Sequence, residues 1–133
     1  MKVSFLTAAL VFLLGACRKQ DAGFLNREIE LKQNEPVLVD RKAGLIMVAE
    51  KIFDSRCPEG SQCFWEGYAT AKIKATYVDK EVSFDLCTGG CRAVRKATEQ
   101  IVDVSGVRYA VKLIDVKKTG GAKLKAVVRI SGH

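Results

Sequence analysis

Apolar and polar residues alternate with a period of two over much of the chain, and this pattern limits the fold more than any other feature. Residues 69–77 are the clearest example: apolar residues occupy the odd positions, and threonine or lysine the even ones. Successive side chains of a strand point to opposite faces of a sheet, so the pattern is typical of a half-buried strand. Residues 82–86 alternate in the same way after the turn residues Asp79 and Lys80. The two segments predict a hairpin over residues 69–86.

Further short segments of this kind are separated by turn residues along the rest of the chain. They lie at residues 28–32, 37–39, 45–53, 100–104, 107–113 and 124–130. Apart from the apolar segment 37–39, they have a polar side, which is typical of antiparallel strands that face water on one side. About seven to eight short strands, with no convincing helix after the N-terminus, predict an all-β domain, either an antiparallel β-sandwich or a barrel. Residues 91–98 fit either an exposed helical turn or part of a strand.

The N-terminus has the parts of an export signal. Lys2 precedes the apolar run Val3–Leu14, and the small residues Gly15 and Ala16 lead to Cys17. The run is too short to cross a bilayer, which needs roughly 20 residues, so it indicates a signal peptide. The tetrad 14–17 resembles the lipobox of bacterial lipoproteins. The resemblance implies cleavage before Cys17 and acylation of its thiol and amine. The alternative is an ordinary secretory signal whose cleavage site includes a cysteine.

This interpretation divides the chain into three parts. We expect a helical signal peptide at residues 1–16, a lipidated cysteine with a tether at 17–26, and a single β domain at 27–133. Stable anchoring would need more than one acyl chain. Arg18 and Lys19 stand in place of the aspartate that retains some lipoproteins at the inner membrane. The resemblance therefore implies the bacterial cell envelope, with the outer membrane favoured, and a domain facing the periplasm or the surface.

The other four cysteines are an even number, which in an exported chain predicts two disulfides. Three connectivities are open. We favour Cys57–Cys63 and Cys87–Cys91, because each pair closes a short loop that contains turn-forming residues. A four-cysteine zinc site is the alternative, but the 57–63 spacing is wider than in zinc knuckles, and no C-x-x-C redox motif is present. We expect no metal and no cofactor.

Charge is distributed unevenly along the chain. Residues 86–133 hold ten basic and three acidic side chains, whereas residues 18–85 hold 11 and 12. Such an excess can attract an acidic partner, an anionic lipid or a polysaccharide. The alternative, which we favour here, is a solvated face of lysines. No aromatic residues are interleaved with the basic ones as in a single-strand binding groove, and we expect no nucleic-acid partner.

Few catalytic systems are compatible with this composition. The one histidine is His133, so a Ser-His-Asp or Cys-His nucleophile is not expected. A hydrolase that uses a pair of carboxylates stays open, with Asp54, Glu59 and Glu66 as the loop acids. Their spacing does not distinguish them from solvated turn residues.

The segment 54–67 combines two cysteines, several charges and the single tryptophan. It resembles a C-P-x4-C-x-W-x-G segment of small exported bacterial β-proteins, a resemblance that implies no activity. The candidate binding residues here are Arg56, Phe64, Trp65, Glu66 and Tyr68. The alternative, favoured by the large area of an indole, places Trp65 in the core, with Gly67 at a bulge or a close backbone approach.

These observations predict a lipid-anchored envelope protein with a disulfide-stabilised β domain. We expect a binding or inhibitor-like accessory module that contacts an envelope protein or a glycan, and a membrane contact through Cys17. The alternatives are the carboxylate-dependent hydrolase and a purely structural envelope protein.

Overall fold

Residues 26–132 of the computed structural model form a sandwich of two antiparallel four-stranded sheets. The strands are β1 (Arg27–Lys32), β2 (Val37–Asp40), β3 (Leu45–Asp54), β4 (Tyr68–Tyr77), β5 (Lys80–Gly89), β6 (Glu99–Val104), β7 (Val107–Lys118) and β8 (Leu124–Gly132). The first sheet has the order β1-β8-β7-β6 and the second the order β2-β3-β4-β5. The predicted all-β antiparallel fold is confirmed, as a sandwich and not as a closed barrel.

The predicted signal peptide, Cys17 and nearly all of the predicted tether lie outside the described residues, as does His133. Within residues 26–132, no helix is long and apolar enough to cross a membrane.

The core lies between the inner faces of the two sheets. On β4 the alternation in the sequence places Ala69, Ala71, Ile73 and Ala75 inward, and all four are fully buried. Both sheets supply the largest fully buried side chains: Leu31, Tyr109, Leu113, Ile130, Leu45, Met47, Ile73 and Leu86. Burying one such aliphatic side chain stabilises the fold by about 1.5–3 kcal/mol. The predicted hairpin over residues 69–86 is present, because β4 pairs with β5. Its turn residues are Val78 and Asp79, between the paired Tyr77 and Lys80.

Two β-bulges change which side chains face solvent. The register between β3 and β4 shifts between Ala49 and Lys51, so that Ile52 points inward and Phe53 outward. The register between β7 and β8 shifts between Leu113 and Asp115. Strand β7 therefore continues beyond residue 113, where the alternation in the sequence is interrupted.

One end of the sandwich carries the long connections, and we call it the loop end. It comprises the 55–67 loop between β3 and β4, the segment after β5, and the turn 119–123 between β7 and β8. After β5 the chain forms a 3-10 helix at Cys91–Val94, which settles the open prediction for residues 91–98. The backbone N–H of Cys87 donates to the Ala97 carbonyl at 2.9 Å and holds this segment against β5.

Candidate functional site

The 55–67 loop is held at its base and at its tip. At the base, the backbone N–H of Ser55 donates to the Tyr68 carbonyl at 2.9 Å. At the tip, a disulfide joins Cys57 and Cys63, whose Cα atoms are 5.9 Å apart. The indole N–H of Trp65 donates to the Ser55 carbonyl at 3.2 Å. The loop therefore has a fixed shape although it lies at the surface.

Two aromatic side chains of this loop face solvent. Phe64 is fully exposed and Trp65 is 60% exposed. The expectation that Trp65 enters the core is therefore wrong. Trp65 precedes β4 and lies outside any strand, so no sheet face directs its ring inward. Its hydrogen bond to Ser55 holds the indole outside the core.

Gly67 lets the loop return close to its own beginning, as the close-approach alternative predicted. Its φ is +66°, and a Cβ at this position would lie 2.5 Å from the Ser55 carbonyl oxygen and 2.7 Å from the Cα of Arg56. Gly90 packs against the same turn, and its N–H donates to the Gly67 carbonyl at 2.9 Å. A Cβ at residue 90 would lie 2.8 Å from that oxygen. The two glycines therefore bring the two disulfide-containing segments into contact.

Arg56 connects the loop with both sheets. Its Nε and Nη2 donate to the two carboxylate oxygens of Asp54, each at 2.9 Å. Its Nη1 donates to Asp115 at 2.7 Å, and Nη2 also donates to the Val116 carbonyl at 2.5 Å. Strand β6 pairs with β7 only as far as Lys112, so the edge of β7 at Val116 is open to this contact.

The ion pairs fix the charge states of this cluster. The hydrogen bond from the Arg56 guanidinium lowers the pKa of Asp54, and partial burial opposes that shift only in part. Hydrogen bonding to Asp54 and Asp115 in turn raises the pKa of Arg56. All of these charges are engaged within the protein. Arg56 therefore acts on the shape of the loop, and its place among the candidate binding residues stays a prediction.

The same finding bears on the hydrolase alternative. A catalytic general acid needs a raised pKa, and the pKa of Asp54 is lowered. The other two loop acids, Glu59 and Glu66, are exposed. Neither the lowered pKa of Asp54 nor the exposure of the two glutamates supports this alternative.

Tyr68, the first residue of β4, and Glu66 are the remaining candidate binding residues. Tyr68 is half-buried, and its ring centroid lies 5.7 Å from that of Phe53, which is 45% exposed. The side chain of Glu66 lies beside Gly90. Sequence reasoning missed Phe53, because simple alternation along β3 would place it in the core and only the bulge turns it outward. We call Phe64 and Trp65, with the Phe53–Tyr68 pair at the base of the loop, the aromatic surface.

The four cysteines within residues 26–132 are paired locally. The second disulfide joins Cys87 and Cys91, with Cα atoms 5.8 Å apart, and both residues are buried. The predicted disulfide-bonded β domain is confirmed. All four thiols are used in these bonds, which leaves no thiolate for the zinc alternative. Within residues 26–132, no group of three or more His, Cys, Asp or Glu side chains is placed to hold a metal ion.

The fold and this site define a small disulfide-bonded β domain with a rigid, exposed aromatic loop. No protein-family model matches the chain, and neither a curated protein nor a solved structure matches it.

Proposed function

We propose that this chain is a lipid-anchored protein of the bacterial envelope whose aromatic surface binds another envelope protein, as an accessory or inhibitor-like module. The observation that carries the proposal is the exposure of Phe64 and Trp65 on a loop that is otherwise held rigid. Aromatic residues are enriched among those that dominate binding energy at protein interfaces. A rigid loop also loses little conformational entropy on binding.

The construction of the loop supports a binding role over a purely structural one. The disulfide, the Trp65 hydrogen bond and the Arg56 ion pairs all restrain a segment that contributes no large side chain to the core. A loop that only connected β3 to β4 would not need two exposed aromatic rings. The restraints are consistent with a surface that must keep one shape to fit a partner.

The position of β1 supports the anchored arrangement. The predicted tether leads into Arg27, which pairs with Ile130, whereas Lys32 at the other end of β1 pairs with Lys125 near the loop end. Six strand residues span about 20 Å. The tether would thus join the domain at the end opposite the aromatic surface, which would leave that surface directed toward the envelope space.

The anchor is tested by the substitution Cys17→Ser in the full-length chain. We expect the wild type to remain with membranes after a high-salt wash and the variant to be released, because acyl chains and not surface charge would hold the protein. Unchanged membrane fractionation of the variant would overturn the lipoprotein interpretation.

Binding is tested by capture of envelope proteins on the purified, oxidised Cys17→Ser chain. The test variant carries Phe64→Ser and Trp65→Ser, and the matched control carries Val78→Ser and Val107→Ser. The control residues are also apolar and exposed, at 76% and 45%, but they lie at the opposite end. We expect a discrete protein that the control retains and the test variant loses. Equal capture by both variants, or capture that survives protease treatment of the extract, would contradict the proposal.

A further inference from the structure

Three lysines lie directly opposite one another on adjacent strands of the first sheet. Lys125 on β8 is paired in register with Lys32 on β1 and with Lys117 on β7. Directly opposed residues share a face of the sheet and have Cβ atoms about 5 Å apart, and like charges in this arrangement are destabilising. The row is therefore unfavourable for the isolated domain.

A second row on the same face shows how such charges are normally balanced. Arg129 is paired with Glu28 on one side and with Lys112 on the other, and Glu99 is paired with Lys112. The guanidinium of Arg129 contacts Glu28 at 2.6 Å. Of these two rows, only the row at the loop end has an excess of basic residues.

One acidic residue, Glu30, partly balances the lysine row. Lys125 donates to its carboxylate at 2.7 Å, and this hydrogen bond lowers the pKa of Glu30, helped by the charges of Lys117 and Lys32. Lys32 and Lys117 make no salt bridge within the described residues. Glu30 therefore compensates only part of the positive charge of the row, and the ammonium groups of Lys32 and Lys117 can also contact an anion.

A groove of about 500 Å³ lies beside this row, between residues 33–35 and the turn 119–123. Lys32 and Lys123 line its two sides, Gln33 and Asn34 supply amide groups, and Ile52 and Leu124 supply apolar surface. Glu35 is the one acidic residue of the lining. A volume of this size falls in the range of ligand sites, roughly 300–1,000 Å³.

Backbone hydrogen bonds fix both walls of the groove. The N–H of Asn34 donates to the Ala49 carbonyl at 2.8 Å, which attaches one wall to β3. The N–H of Thr119 donates to the Lys123 carbonyl at 2.8 Å and closes the opposite turn. The groove is therefore formed before any ligand binds.

We propose that this groove and the adjacent lysine row bind an acidic saccharide. Side-chain amides can donate to and accept from sugar hydroxyls, and the ammonium groups can pair with the acid groups. The apolar surface of Ile52 and Leu124 can contact the C–H face of a sugar ring. An acidic polypeptide would pair with the lysines equally well but would not need this combination of amides and apolar surface.

The test is calorimetric and NMR titration of the oxidised Cys17→Ser chain with trigalacturonate. Parallel titrations use neutral maltotriose, triglutamate and phosphatidylglycerol vesicles. The test variant is Lys32→Gln with Lys123→Gln. The control is Lys112→Gln, from the second row, in which basic and acidic side chains balance. Loss of two charge-assisted hydrogen bonds should weaken trigalacturonate binding by at least about tenfold, and the control should change it by less than about twofold.

Two results together support the proposal. Trigalacturonate should bind with clearly higher affinity than maltotriose or triglutamate. Its binding should also shift the amide signals of residues 32–35 and 119–124. Equal binding of triglutamate, an equal loss in the Lys112→Gln variant, binding to the vesicles alone, or no binding would overturn it. The aromatic surface is unchanged in every variant, so the result does not depend on the proposed protein partner.

Discussion

Arg56 donates to the carboxylate of Asp115 at 2.7 Å, and this contact joins the loop after β3 to the bulged strand β7 of the opposite sheet. The same guanidinium binds Asp54 through two further hydrogen bonds. Arg56 is therefore a side chain that ties the base of the aromatic loop to both sheets of the sandwich.

Substitution Arg56→Met should lower the free energy of unfolding by about 1–3 kcal/mol, because it leaves Asp54 and Asp115 without their cation. The lower half of that range is expected, since the side chain is 30% exposed and water screens the pair. Arg56→Lys should fall between the wild type and Arg56→Met, since it keeps the charge but loses the planar fork. Urea unfolding measures both, with Arg108→Met as an exposed control. An Arg56→Met protein as stable as the control would contradict this role.

The second prediction concerns a buried contact between the sheets. The hydroxyl of Tyr109 donates to Asp40 at 2.5 Å, and Asp40 also accepts from the backbone N–H of Lys42 at 2.9 Å. Tyr109→Phe should cost about 1–3 kcal/mol, because a buried carboxylate oxygen loses its partner. The control is Tyr77→Phe, whose hydroxyl makes no hydrogen bond within residues 26–132. Equal stability of the two variants in thermal or urea unfolding would contradict the assignment.

The third prediction is the dependence of stability on pH. Burial would raise the pKa of Asp40, but the hydrogen bonds from Tyr109 and from the backbone outweigh the effect of burial and lower that pKa. The hydrogen bond from Arg56 lowers the pKa of Asp54. Both carboxyls therefore bind protons more readily in the unfolded chain. Their contribution is present above the unfolded value of about 4 and is lost as pH falls through the folded values.

At the alkaline end the sign is reversed. Burial and the neighbouring Asp40 raise the pKa of Tyr109, so its contribution is complete below about pH 10 and is lost as pH rises further. The free energy of unfolding, measured in urea from pH 2 to 11, should be flat between about pH 5 and 9 and fall on both sides. Asp40→Asn should flatten the acid limb, and an unchanged acid slope in that variant would contradict the assignment.

The fourth prediction separates the two disulfides. Each closes a short loop, for which chain entropy gives about 2 kcal/mol of stabilisation. Replacing buried Cys87 and Cys91 by alanine should cost more than replacing Cys57 and Cys63, because it also removes packed sulfur atoms. Removing Cys57–Cys63 should instead increase acrylamide quenching of Trp65, the single tryptophan. A larger stability loss from the Cys57–Cys63 pair, or unchanged quenching, would contradict this division.

Most of the fold could be predicted from the sequence because the strands are local patterns. The alternation in residues 69–86 gave the β4–β5 hairpin, and the pattern after Gly121 gave β8. The bulges near Glu50 and Ile114 could not be predicted, since they depend on how each strand meets its neighbours. They account for the outward ring of Phe53 and for the extension of β7 to Lys118.

The sequence was enough to locate the candidate site, but it could not predict how the side chains of the site are arranged in space. Its cysteines and tryptophan marked the segment 54–67, yet the exposure of Trp65 follows from its position outside any strand and from a hydrogen bond to the Ser55 carbonyl. The partner of Arg56 on β7 is 59 positions away, and no local pattern connects the two. Sequence spacing likewise gave no sign that Lys32, Lys117 and Lys125 lie side by side, because strand order brings them together.

The most direct test of the central claim is photo-crosslinking in cells that produce the full-length chain. p-Benzoylphenylalanine replaces Phe64 on the aromatic surface or, as the control, Val107 at the opposite end, where the side chain is also exposed. The proposed function predicts one discrete protein adduct from position 64 that is absent from position 107. No adduct from position 64, or the same adducts from both positions, would contradict it.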